Sequence, residues 1–472
     1  MSNRTIALGF FLAAFAAYAW LAPQDPDNVQ VVSRLGLTLS IVESGRLDID
    51  RFEHRTSDKA WFEGHYYAEK GPGLSFLAIP VVAATLLLIN RTGGNPDSNN
   101  PRDFARFAKM ASIVVNGFIS ALAAAMLFLT AIRLGATRTG AVFASAALAF
   151  GTPFFGWSTA FFAHSVSGSL LIFAAAAIAF TYAGDSAGGQ SRTRLTLFGL
   201  GLGMLFGFTL VVDLTAAPAC LLGGMLTLAL AARRGAAALL RMLCFLLVGG
   251  VLGLLPLLLY DQLAFGSPFT LGYSKVVGFE GMQQGFFGIT WPKPRVVVSL
   301  LFGRYRGLLP LSPVLVLIPV GLYAMWREPS GRITTSAILI VFCSFLWINA
   351  GYFYWWGGWS FGPRYLIPAV PLCCLALAFA WPRSLWARAM TLVLLAASLF
   401  LSLSCAVAGI FTSDPNPIAN VFLPAFLTPE KLLKSLPIVV VWITLFGLLF
   451  LFRSLSAETG PTLSDLPSDA RV

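Results

Sequence analysis

The chain has 472 residues, 57% of them hydrophobic and 11% charged, with a formal net charge of +11 and a mean hydropathy of +0.77. A soluble domain carries about 25% charged and about 45–50% apolar residues, and here the apolar surplus falls in long runs along the whole length. These values exclude a soluble enzyme, a disordered regulator and a secreted disulfide scaffold. The positive charge belongs to Lys and Arg at the ends of apolar spans, not to a nucleic-acid surface.

A bilayer span needs about 20 mainly apolar residues. Thirteen such runs occur, near 5–22, 74–90, 108–132, 139–157, 161–183, 195–212, 214–232, 242–260, 308–326, 334–350, 364–381, 389–410 and 436–452. The first carries Ala17-Tyr18-Ala19, which is similar to a cleavage site, but the many runs behind it favour an uncleaved start anchor. With the N-terminus inside, thirteen crossings would put Arg133/Arg138, Arg192/Arg194 and Arg233/Arg234/Arg241 in outer loops, against the positive-inside rule. The conflict disappears if 74–90, interrupted by Pro80 and preceded by Gly71-Pro72-Gly73, does not cross. Behind it, Asn100-Pro101 is a helix start, and Arg102, Arg106 and Lys109 share one face, as on an in-plane interfacial helix. The expectation is an all-α polytopic membrane protein of about 12 transmembrane helices with both termini cytoplasmic. A single integral domain covers 1–453, with a polar tail at 454–472.

Under this topology the long connections face outward. They are 23–73 and 91–107, which together form an outer region 23–107 with a juxtamembrane or re-entrant helix at 74–90, then 261–307, 351–363 and 411–435. The cytoplasmic connections are too short to build a nucleotide-binding domain, which needs at least about 50 residues. Any donor group must therefore arrive through the membrane. Cys220, Cys244, Cys343, Cys373, Cys374 and Cys405 all lie in apolar runs and read as small hydrophobes. His54, His65 and His164 are too scattered for a zinc motif.

The loop 23–73 holds nine of the 21 acids. Most of its charges read as a solvated, salt-bridged surface, Glu53, Lys59 and Glu63 among them. Its end differs: Gly64-His65-Tyr66-Tyr67-Ala68-Glu69-Lys70-Gly71-Pro72-Gly73 delivers ionisable groups into an apolar helix through a rigid turn, and such groups at the hydrocarbon edge are usually functional. The spans are nearly free of charge, Asp213 being the main acid at a span end. A coupled transporter would place acids within its helices, so this pattern points to catalysis at one face.

These residues resemble the GT-C superfamily of lipid-dependent glycosyltransferases, in the branch of protein O-mannosyltransferases and the lipid A aminoarabinose transferase. The likeness covers about 1–385. It is carried by Ser33-Arg34-Leu35, Glu43-Ser44-Gly45-Arg46-Leu47-Asp48-Ile49-Asp50, Thr56-Ser57-Asp58-Lys59-Ala60 and the segment ending in Glu69-Lys70-Gly71-Pro72-Gly73. Further along stand Gly151-Thr152-Pro153, Phe162-Ala163-His164-Ser165, Tyr260-Asp261 … Phe265-Gly266-Ser267-Pro268, Tyr305-Arg306-Gly307 and Gly362-Pro363-Arg364-Tyr365. Where relatives carry an Asp-Glu pair after the first span, this chain has Asp27-Asn28.

The resemblance implies an inverting glycosyltransferase of the bacterial inner membrane. A sugar would pass from a polyprenyl-phosphate donor to a lipid, polysaccharide or protein acceptor on the periplasmic face. It implies a carboxylate base among Asp58, Asp27 and Asp50, with Glu69 a further competitor. Lys70, Arg364 and Glu69 are expected at the donor phosphate, and His65, Tyr67, His164 and Arg34 at the substrate. No cofactor is expected, a divalent metal being left open, and no nucleic-acid partner. Alternatives stay open for single residues: Arg364 as an interface anchor beside the aromatic belt 352–359, His164 as an interfacial His, each acid as a loop ion pair. The rival function is a transporter or flippase of a lipid-linked saccharide, and behind it an assembly factor without activity.

Overall fold

A computed structural model describes residues 2–182 and 192–458, with side chains described up to residue 450. Each of the apolar runs is largely helical over its described residues. Ten helices are long and apolar enough to cross a membrane: α1 (Asn3–Leu21), α3 (Gly73–Arg91), α4 (Pro101–Arg133), α6 (Ala163–Tyr182), α7 (Arg192–Val212), α8 (Leu214–Ala232), α9 (Ala236–Phe265), α12 (Arg332–Gly351), α14 (Leu385–Ala408) and α15, whose apolar part is Pro429–Phe450. Three shorter apolar helices are α5 (Arg138–Phe150), α11 (Pro313–Arg327) and α13 (Arg364–Leu377). Between these lie α2 (Val29–Ser44), α10 (Pro294–Phe302) and a hairpin of β1 (Lys59–Phe62) and β2 (His65–Ala68). The predicted runs at 139–157 and 308–326 are broken where Gly151-Thr152-Pro153 and Ser312-Pro313 interrupt them, because proline removes a helix donor and clashes with the preceding turn.

The bundle has two distinct ends. Helices α1 and α15 run antiparallel, with Gly9 against Leu445 and the Trp20 indole donating to the Lys434 carbonyl at 2.9 Å. The start of α1 therefore lies at the same end as the far part of α15. The opposite end gathers the long loops. The Ser98 hydroxyl donates to Glu43 at 2.9 Å, the Val277 N–H to the Lys59 carbonyl at 3.1 Å, the Phe353 N–H to Gly288 at 2.8 Å and the Ser360 N–H to Thr412 at 3.3 Å. All five predicted outer loops thus meet at one end. Buried Arg306 clamps three of them, donating to the carbonyls of Trp356 at 3.0 Å, Gly358 at 2.8 Å and Thr412 at 3.0 Å.

Helix α3 leaves this loop end and its chain returns to it. Its first turn is clasped to α2, since the Ser75 hydroxyl donates to the Arg34 carbonyl at 2.8 Å and Thr38 to the Ser75 carbonyl at 3.0 Å. The segment after it meets Glu43 through Ser98, and Arg51 donates to the same serine at 2.8 Å. One expectation needs correction. The segment 100–109 is not a separate in-plane helix but the first turns of α4, joined to the rest through a π-helical stretch at Ser112–Gly117. The Asn100 cap is present, its side chain accepting from the Arg102 N–H at 2.9 Å. At 33 residues, α4 is ~50 Å long against a hydrocarbon core of ~30 Å. Its first turns therefore project among the loops, where the Phe104 ring packs at a tilt on Phe52 at 5.9 Å and Arg102, Arg106 and Lys109 are exposed.

Candidate active site

The site grows from the turn that closes β2. The Tyr260 hydroxyl, from α9, donates to the Ala68 carbonyl at 3.0 Å and fixes the end of the hairpin. Glu69 and Lys70 follow, and then Gly71-Pro72-Gly73 runs directly against the end of α7. A Cβ on Gly71 would stand 2.4 Å from the Val211 carbonyl oxygen and one on Gly73 2.7 Å from the Val212 nitrogen. Only glycine permits this approach, so the turn that reads in sequence as a rigid entry is also a packing requirement. It sets Lys70 beside the segment that bears Asp213.

Lys70 forms an ion pair with Glu69 and lies 3.5 Å from Asp58 Oδ2. Asp58 is 5% exposed. Its backbone N–H donates to Thr56 Oγ1 at 3.0 Å, and that hydroxyl donates to the Val29 carbonyl at 2.8 Å, tying the carboxylate to the start of α2. Asp58 Oδ2 has no hydrogen-bond donor. Burial alone would depress the Lys70 pKa, but the Asp58 and Glu69 carboxylates outweigh it and hold the ammonium above the ordinary lysine range. Burial pushes the Glu69 carboxyl up, against the pull of Lys70. The ammonium still opens 21% of its side chain to the pocket.

Two guanidiniums lie next to these groups, Arg364 on the pocket wall and Arg34 beside it. Arg34, on α2, donates to Gln30 Oε1 at 2.9 Å, and Arg364 donates to the Tyr365 hydroxyl at 2.9 Å. They lie 6.0 and 5.9 Å from the ring centroid of Phe162, so one ring holds both cations. Each has an unpartnered buried Nε. Gly357 and Gly358, at φ +72° and +66°, turn the aromatic loop around Arg364, where a Cβ on Gly357 would meet its Nε at 2.8 Å. The small pocket between these groups is lined by Gln30, Asp58, Glu69, Lys70, Phe279, Met282, Tyr352, Tyr354, Arg364 and Tyr365.

His164, at the start of α6, packs its ring on Tyr365 at 5.5 Å and Trp157 at 5.9 Å. Its Nδ1 is 3.5 Å from Asp213 Oδ2, and Asp213 in turn accepts from the Thr215 N–H at 3.1 Å and hydroxyl at 2.6 Å. The pair forms the wall behind Tyr365.

Of the residues singled out in the sequence, Asp58, Glu69, Lys70, Arg34, Arg364 and His164 come together here. Four others do not. Asp27 is exposed and pairs with Arg55 at 2.7 Å. Asp50 accepts from the Tyr66 N–H at 2.7 Å and pairs with His65 at 2.7 Å on the hairpin. Tyr67 lies against Phe265 at 5.3 Å. Asp48, Asp50 and His65 are the group of metal-ligand type found among the described residues, and they are not part of the pocket lining. Glu53 and Lys59 pair with each other in the loop, as the solvated reading expects. Gln30, Tyr352, Tyr365 and Asp213 were not among the predicted site residues. Asp213 had a signal, as an acid isolated between two apolar runs; Tyr352 stood in the aromatic belt 352–359 and Tyr365 in the Gly362-Pro363-Arg364-Tyr365 motif, while Gln30 had none.

No family model and no curated protein matches the chain. Among solved structures, ArnT from Cupriavidus metallidurans, crystallised with undecaprenyl phosphate, aligns with a TM-score of 0.56 at 15% identity, over 96% of this chain and 72% of its own. The archaeal oligosaccharyltransferase AglB from Archaeoglobus fulgidus, in complex with an inhibitory peptide and a dolichol-phosphate, gives a TM-score of 0.48 at 12% identity, over 87% of this chain and 56% of its own. The fold is that of an all-α polytopic membrane protein, shared with this ArnT structure. The chain is similar to ArnT in fold along almost its entire length.

Proposed function

We propose that the chain is a membrane glycosyltransferase that moves a sugar from a polyprenyl-phosphate donor to an acceptor hydroxyl, with inversion at the anomeric carbon. The observation that carries this reading is the convergence of Lys70 and Arg364 on one pocket, with Arg34 beside it on Gln30, that also holds Asp58, a buried carboxylate whose Oδ2 has only the Lys70 ammonium near it. Two cations on the pocket wall, with the buried Arg34 guanidinium beside them, suit a lipid-borne phosphate, and charge-assisted bonds to it are the strong kind. The ArnT fold, seen in that protein with undecaprenyl phosphate, supports the same donor class.

In this reading the phosphate lies between Lys70 and Arg364 with its isoprenoid chain in the bilayer. Asp58 takes the proton of the acceptor hydroxyl as its oxygen attacks the anomeric carbon. The bond from that carbon to the phosphate oxygen breaks, and the departing polyprenyl phosphate keeps the electron pair. The cations stabilise the charge that grows on the leaving oxygen, the kind of preorganised electrostatics that dominates many enzymes. Glu69 orients Lys70, and Asp213 holds His164 behind Tyr365. Asp27 and Asp50 are engaged in loop ion pairs and take no part.

A strain lacking the chain should accumulate one polyprenyl-phosphate sugar and lose one envelope glycan relative to its parent, read by mass spectrometry of lipid extracts and released glycans. Unchanged pools of both would overturn the proposal. In this reading the site lies on the outer face with both termini inside, which is supported by the basic connections at the end opposite the pocket. The return of residues 92–100 to Glu43 and Arg51 then keeps α3 on the outer side. A single Cys at Gly94, in a background with all six native cysteines replaced, should react with a membrane-impermeant maleimide on intact cells. Reaction only after lysis would restore α3 as a crossing.

A further inference from the structure

The molecule has a second concavity, at the end opposite the pocket and unrelated to the transfer reaction. A cavity of about 630 Å³ opens between α1, α5, α14 and α15, walled by apolar side chains that include Ile6, Phe143, Leu395 and Leu449 and flanked by Trp381. Its charged wall residue is Arg138, the first residue of α5. From Arg138 to Ala146, both on the wall, the helix rises ~12 Å, so the cavity runs from the membrane surface well into hydrocarbon.

We propose that this groove is a binding site for one anionic phospholipid of the surrounding bilayer, an acyl chain lying in the groove and the phosphate on Arg138. Charge complementarity argues for that occupant. Arg138 is exposed and has no ion pair or hydrogen bond among the described residues. Arg4, Arg133, Arg383 and Arg388 belong to the same end, and none of the described ion pairs involves them. A guanidinium presents paired donors to a phosphate and is weakly hydrated, which suits the headgroup depth. A neutral lipid would fill the apolar wall but leave this positive field uncompensated, whereas each basic residue near an anionic surface gains about 1 kcal/mol.

The test is native mass spectrometry of the full chain released from mixed micelles holding phosphatidylglycerol and phosphatidylcholine at equal amounts. The parent protein should retain one phosphatidylglycerol in preference to phosphatidylcholine. Arg138→Glu should weaken that retention by at least about tenfold, the lower range for a hydrogen bond to a charged group. Ala146→Trp fills the groove and should abolish retention of both lipids, while Arg327→Glu, at a helix end that does not line the groove, should leave it intact. Equal retention of the two lipids by the parent, or unchanged phosphatidylglycerol on Arg138→Glu, would overturn the proposal. Displacement of the retained lipid by added undecaprenyl phosphate would overturn it too, by making the groove an isoprenoid site. Selectivity that appears only when residues 459–472 are deleted would overturn it as well, by assigning the groove to the polar tail.

Discussion

Asp58→Asn should lower the transfer rate at least about 100-fold, the lower end for loss of a general base, while the protein still inserts and accumulates. The substitution keeps the shape of the side chain. It leaves intact the backbone N–H that Thr56 receives, so the turn holding residue 58 has no reason to move. What disappears is the basic oxygen, which in the resting site accepts no hydrogen bond and has only the Lys70 ammonium near it, at 3.5 Å. Lys70 keeps its pairing with Glu69, so donor affinity should change far less than the rate, and that split separates a base from a residue that merely positions the ammonium. Asp27→Asn and Asp50→Asn serve as comparisons. Each removes an exposed or half-exposed loop pair, worth about 0–1 kcal/mol, and should leave transfer close to parental. A near-parental rate for Asp58→Asn, with a large loss in either comparison, would move the base to the loop rim.

The membrane class and the position of almost every helix were legible in the sequence, because an apolar run of span length has few other stable outcomes. Breaks within runs were harder to see. A proline at the start of a turn and one inside a helix give the same hydropathy, so 139–157 read as continuous. The site was half legible. Glu69, Lys70 and Arg364 stand out as charges set against apolar helices, and burial of such groups demands partners. Asp27, Asp50 and Asp58 are alike in sequence, because what separates them is which one the hairpin folds inward. That choice is made by long-range contacts, the Thr56 bond to Val29 and the Val277 bond to the edge of β1, which no local pattern encodes. The shared Phe162 ring between Arg34 and Arg364 joins residues about a hundred positions and more apart, and only the folded bundle shows it.

Lys70→Met should abolish transfer and donor binding together. Methionine is apolar and unbranched, so the chain can follow the lysine path, but the point charge proposed to meet the phosphate is gone. Loss of the ammonium also strands two carboxylates in a largely buried site, and an uncompensated buried charge is destabilising. Glu69 then has burial as its dominant influence, with no Lys70 to oppose it, so its carboxyl moves still higher and takes up a proton at a higher pH. Accumulation of Lys70→Met should therefore improve as pH falls, the sign opposite to that of a lost surface ion pair. Lys70→Met combined with Glu69→Gln removes one stranded carboxylate and should recover accumulation at neutral pH without recovering transfer. Lys70→Arg keeps the charge but presents a planar fork where a compact ammonium stood, so it should retain donor binding with a reduced rate. The decisive measurement is the affinity of each purified variant for undecaprenyl phosphate, set beside its transfer rate. Parental affinity in the double variant would show that Lys70 only neutralises Asp58 and Glu69, and the phosphate would then belong to Arg34 and Arg364 alone.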